Sequence, residues 1–174
     1  LGRIDHEKQH DVTLTQGFYI GVFEVTQKQW ERVMGSWPSH FNNPKFRETR
    51  PVENVSYDDT RGAADGAAWP VTNSVDAASF LGRLRARTGK AFDLPTEAQW
   101  EYACRAGTTT ALNSGKELTS TESCPNLAAV ARYKGNEGGA SKSSDTRGGT
   151  AEVGSYLPNA WGLYDMHGNV FESC

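Results

Sequence analysis

Val153-Gly-Ser-Tyr-Leu-Pro-Asn-Ala-Trp-Gly-Leu-Tyr-Asp-Met-His-Gly-Asn-Val-Phe-Glu172 ends in a loop that sets two carboxylates, Asp165 and Glu172, around Gly168. Hard cations such as calcium take about six to eight oxygens, drawn from carboxylates and from carbonyls freed of secondary structure. Asp165, Glu172 and the carbonyls of Gly168 and Val170 offer four. The spacing is not that of an EF-hand, whose Asp-x-Asp-x-Asn-Gly loop is absent. On spacing alone a turn with solvated carboxylates is the simpler account. His167 next to this pair suggests acid–base work, but no Ser or Cys stands in a nucleophile setting, so it reads as a turn histidine.

Upstream, the chain loses periodicity from Gly107 to about Thr150, a run rich in Gly, Ser, Thr, Asn and Lys. So long an irregular stretch in a compact domain needs something other than backbone ladders to hold it, and a bound metal is one candidate. Asn126 with Leu127, and later Asp145, are weak ligand candidates by themselves. Gly138-Gly139 and Gly148-Gly149 match no phosphate loop.

The helices are plainer. Thr96 with Gln99 forms a capping-box pattern opening a helix at Leu94–Ala103, with Glu97 near its positive end. Thr26 with Gln29 repeats the pattern; Trp30, Val33 and Met34 share a face, and Gly35 stops the helix. A further helix from Val75 turns Ala77, Phe80, Leu81 and Leu84 inward, with Gly89 as its stop. The basic run Arg83–Lys90 reads as its solvated face rather than a phosphate site. Residues 12–25 read as one or two strands with Gly17 as turn or bulge, and Pro51–Tyr57 as a short strand. Ser36–Arg50 is expected to be an ordered loop anchored by Trp37, Phe41 and Phe46, and 58–74 a surface insertion. Trp30, Trp100 and Trp161 are read as core.

The 174 residues suit one domain over 1–174. With 18 Lys+Arg against 21 Asp+Glu, the balance argues against nucleic-acid binding. No apolar run approaches the roughly 20 residues of a membrane helix, so no direct membrane insertion is expected. Cys104, Cys124 and Cys174 form no CxxC or zinc spacing, and whether Cys104 and Cys124 pair stays open. The sequence starts at Leu1 without a signal-peptide pattern, which leaves a mature form and an excised fragment both open.

Four segments, in order and spacing, resemble the formylglycine-generating enzyme (sulfatase-modifying factor) family, a variant of the C-type lectin fold. They are Phe18–Trp30, Pro51–Tyr57, Leu94–Ala103 and Val153–Glu172. The resemblance implies an α+β fold of two or three helices on a small antiparallel sheet with much irregular loop, truncated at its C-terminus. It implies two calcium sites. One would use Asn126, the Leu127 carbonyl, Asp145 and the Arg147 carbonyl; the other Asp165, Gly168, Val170 and Glu172, with Asp165 where relatives often have Asn. That favours the ion over the solvated turn at the second site, and ions would cross-link loops that make few ladders.

Catalytic members bind copper(I) through a cysteine pair downstream of Gly-Asn-Val-x-Glu, near an Arg-Gly-Gly-Ser stretch. None of the three cysteines here matches that pair, so no catalytic residue carries over. Phe171 and Ser173 replace two Trp usual in the family. These departures favour a non-catalytic, calcium-stabilised module that displays a binding surface for an unknown protein, peptide or glycan. Bacterial and phage relatives, including variable proteins of diversity-generating retroelements, look like such scaffolds. The alternatives are the N-terminal portion of a copper-dependent formylglycine-generating oxidase acting on sulfatase cysteine, and a structural domain of an envelope protein. An extracellular or cell-envelope location is the expectation.

Overall fold

The computed structural model describes residues 11–120, 122–137 and 148–174. Five helices follow in order: α1 Gln27–Met34, α2 Tyr57–Thr60, α3 Phe80–Thr88, α4 Glu97–Arg105 and α5 Pro125–Ala128. Short 3-10 turns lie at Pro44–Phe46 and Asp65–Ala68.

The two capping boxes form as the sequence predicts. Thr26 accepts from the Gln29 amide while Gln29 accepts from the Thr26 amide, and Thr96 and Gln99 do the same on α4. Each pairing satisfies two amides that the first helical turn leaves orphaned. Gly35 and Gly89 close α1 and α3 in the left-handed conformation. α3 starts later than expected: Ser79 caps it, accepting from the Gly82 amide, so Ala77 lies outside it and exposed.

Among the described residues two apolar clusters make the core. Trp30 and Val33 of α1 pack on Phe80 and Leu81 of α3, with Val52, Val55 and Leu94 around them. The Trp30 and Phe80 rings stack at 4.6 Å. The second cluster joins Ala103 and Cys104 of α4 to Leu163 and Met166, with Ile20 and Trp100 against them. It fixes the last loop to α4 and so places the residues after Leu163.

The expected strands do not form. Among the described residues no ladder exists, only isolated bridges at Thr26–Pro51 (antiparallel) and Arg132–Gly168 (parallel). The reason is a change of partner along the segment. The Val22 carbonyl accepts from the Tyr164 amide at 3.1 Å, whereas Val25 accepts from Val52 at 2.8 Å. Neither pairing continues long enough to become a strand.

The region 58–74 is more than a surface insertion. Arg61 is fully buried, its guanidinium bidentate to Asp93 at 2.7 and 2.9 Å and stacked 4.6 Å over the Trp69 ring. Asp93 also accepts from Arg85 of α3 at 2.7 Å. A buried cation needs such pairing to offset its desolvation. Arg83 and Arg87 do face solvent, each guanidinium resting on a carbonyl of α1, those of Met34 and Arg32. Trp161, expected in the core, is 49% exposed and packs on Tyr102, ring centroids 4.9 Å apart.

Candidate functional site

The loop from Leu163 to Glu172 is tied down on every side. Cys104 Sγ donates to the Met166 carbonyl at 3.3 Å, and His167 Nε2 accepts from the Asn113 amide at 3.0 Å. The Asn169 amide donates to the Arg132 carbonyl at 2.8 Å, and its side-chain oxygen accepts from the Ala151 amide at 2.8 Å. Three residues of the loop hold positive φ: Asp165 at 57°, Gly168 at 73° and Asn169 at 62°. Gly168 is required twice over, because a Cβ there would also strike the Arg132 carbonyl. Asp165 has no such freedom, so its left-handed backbone costs free energy that the surroundings must offset.

The Asp165 side chain is buried. The residue is 3% exposed; its Oδ2 accepts from the Gly154 amide at 2.6 Å, and its Oδ1 is buried without a partner. Glu24, in the segment before α1, has the same half-satisfied arrangement. Its Oε2 accepts from Asn169 Nδ2 at 2.7 Å, while its Oε1 is buried and unpartnered. Glu172 keeps much of its residue surface in solvent, yet its Oε2 accepts from Trp100 Nε1 at 2.5 Å.

The three carboxyls act on one another. Burial, then the charge of Asp165, pushes Glu24 up to about 8, with Asn169 opposing and Glu172 adding to the rise. Burial raises Asp165 against the pull of the Gly154 amide. Burial also raises Glu172, with Trp100 opposing it and the Asp165 charge adding. No Lys or Arg figures among these influences. Three carboxyls in mutual repulsion, two of them ending in orphaned oxygens, are chemistry that a hard cation would relieve.

Among the described residues no group of three or more His, Cys, Asp or Glu closes tightly enough to hold a metal alone. An ion here would draw on main-chain carbonyls, as the sequence reading with Gly168 and Val170 requires. Glu24, Asn169 and Trp100 are the site residues that reading missed.

The other predicted calcium site is less complete. Asn126 sits on α5, its Nδ2 donating to the Glu117 carbonyl at 2.9 Å, and the Leu127 carbonyl accepts from the Val130 amide at 3.0 Å. Asp145 and Arg147 lie outside the described residues.

All three cysteines are free thiols in separate surroundings. Burial pushes Cys104 up to about 11. Hydrogen bonds from Thr119 pull Cys124 down to about 6. Cys174 is exposed and borders an open depression of about 600 Å³ with Trp69, Pro70, Thr96, Glu97 and Ala98.

The sulfatase-modifying factor enzyme 1-like domain model matches residues 2–174. The chain belongs to that family. Among curated relatives it is 33% identical to the chaperone protein LppX of Paenibacillus barcinonensis, over 94% of this chain and 63% of that protein. It is 25% identical to the formylglycine-generating enzyme of Mus musculus, over 98% of this chain and 52% of that enzyme. It is 38% identical to the serine/threonine-protein kinase pkn1 of Chlamydia pneumoniae, over 99% of this chain and 25% of the kinase. The chain thus spans between a quarter and somewhat under two thirds of the length of these relatives. No solved structure matches it significantly. No helix among the described residues is long and apolar enough to cross a membrane.

Proposed function

We propose that this sulfatase-modifying-factor domain is a non-catalytic binding module on a C-type lectin-like scaffold, stiffened by calcium. The observation that carries the calcium reading is the pair of buried, unpartnered carboxylate oxygens on Asp165 and Glu24. An orphaned buried acceptor costs about 1–3 kcal/mol, more when charged, and an ion removes that cost. Asp165, Glu172 and the Gly168 and Val170 carbonyls would hold it. Asn126, Leu127, Asp145 and Arg147 would form the other site.

The non-catalytic reading is supported by the thiols. Copper(I) wants paired soft thiolates. Cys104 is buried and held protonated against a carbonyl, and Cys124 and Cys174 lie in other surroundings. Several large aromatic side chains are open to a ligand: Tyr19, Tyr102, Trp161 and Phe171 are all exposed. Exposed aromatics suit a protein, peptide or glycan partner.

The likeness to the mouse enzyme favours a second reading, in which this domain contributes to a copper-dependent formylglycine-generating oxidase. Oxygen uptake decides between them. The chain is mixed with copper(I) and a Cys-containing sulfatase peptide, and the peptide is then checked by mass spectrometry for conversion of its thiol to an aldehyde. The module reading expects no uptake above the copper blank and no converted peptide. Turnover would replace it with the oxidase.

A further inference from the structure

Glu24 lies far in sequence from the residues assigned to the second calcium site. Its bond to Asn169 spans 145 positions. Both carboxylates nonetheless present the same half-finished chemistry. Glu24 has one oxygen on the Asn169 amide group and Asp165 one on the Gly154 amide; in each the other oxygen is buried with nothing to accept from. The Val170 main chain also pulls the Glu24 carboxyl towards its charged form, and the Val170 carbonyl is a predicted ligand. The hydrogen bond from Asn169 therefore holds Glu24 against the loop that would wrap the ion.

Resting on the calcium reading above, we propose that Glu24 is a direct ligand of the second ion, so that calcium staples the segment before α1 to the 165–172 loop. Two anchored carboxylates with inward oxygens provide charge, while Gly168, Val170, Glu172 and water complete the oxygen shell that calcium requires. Asn169, bonded to both Glu24 and Ala151, positions the ligand without contacting the ion. A structural consequence follows. Without the ion, the segment around Val22–Val25 keeps few main-chain bonds, chiefly those of Val22 to Tyr164 and Val25 to Val52.

The competing account is a proton shared between the two carboxyls, with Glu24 outside the shell of any ion the loop binds. Calorimetric titration of calcium into the whole chain, with Glu24→Gln beside it, separates the two. Glutamine mimics a protonated carboxyl and keeps its shape, so a shared proton predicts unchanged calcium binding. Ligation predicts loss of one binding event, or at least a tenfold weakening of it. If the wild-type chain binds no calcium at this loop, the calcium reading itself fails. If the wild type binds and Glu24→Gln binds equally, only the Glu24 ligand falls. Hydrogen exchange on the wild-type chain gives a readout that needs no variant. Added calcium should slow the amides of Val22–Val25 at least tenfold, and unchanged rates there beside slowed rates at 165–172 would overturn the staple.

Discussion

Asp76 accepts from three successive main-chain amides, Ala64 at 3.2 Å, Asp65 at 2.6 Å and Gly66 at 3.3 Å. These bonds favour its charged form and hold its carboxyl below the usual range. The sign follows by linkage: the contribution is fully present above the ordinary carboxyl value and disappears as pH falls through the lowered one. In melting curves between about pH 5 and pH 2, Asp76→Asn should lose less stability than the wild type as acid is added; parallel curves would deny Asp76 that role. At the ion site, Glu172→Gln removes a full ligand charge at little cost in shape. Calcium titration should find one site weakened by about tenfold or more and the other unchanged. Asp165 and Glu172 were readable because two carboxylates flank a glycine within eight residues of one loop. Glu24 was not, since its partner stands 145 positions away and local spacing carries no trace of that contact. The Asp76 turn was equally hidden, because its three donors lie ten to twelve residues upstream.

α1 and α4 were legible for the opposite reason: both halves of each capping box lie three residues apart, inside the window that sequence shows. Thr96→Ala should cost about 1 kcal/mol by denaturant unfolding, as a lost cap usually does, because the Gln99 amide loses its acceptor. Thr96→Ser should recover most of that, since serine offers the same oxygen. Equal stability of all three would mean that packing of α4 through Ala103 and Cys104, not the cap, sets its start. Strand formation was misjudged over 12–25 although the residue types favour it. A strand exists only through a partner, and here the partner switches from Tyr164 to Val52 within a few residues. Burial of Arg61 in a segment that looked like insertion has a similar cause: its carboxylate, Asp93, comes 32 positions later.

With two isolated bridges and no ladder among the described residues, the second half of the molecule is held by side chains reaching to backbone. Asn169, Arg132, Asn159 and Asn136 each bond to main-chain groups, Arg132 alone to the carbonyls of Gly149, Asn136 and Glu137 at 2.9, 2.7 and 2.7 Å. Among the described residues the loop that carries Asp165 and the segment that carries Glu24 are joined by few hydrogen bonds, the Asn169 side chain to Glu24 and the Tyr164 amide to the Val22 carbonyl. An ion between them would add a multi-point cross-link to these bonds, and because it binds the folded chain alone, its binding adds to stability in proportion to the logarithm of its excess over the dissociation constant. At a hundredfold excess over its dissociation constant, calcium contributes about 2.7 kcal/mol. For a domain of this size that is a rise in melting temperature of roughly 5–11 °C. Chelator should therefore lower the calorimetric midpoint by that amount, and calcium should restore it in full. Magnesium at the same concentration should restore little, since it demands a tighter octahedron and gives up its water reluctantly. Scans that coincide in chelator, calcium and magnesium would mean that side-chain ties alone set the stability, and both ion sites would leave the account of this fold.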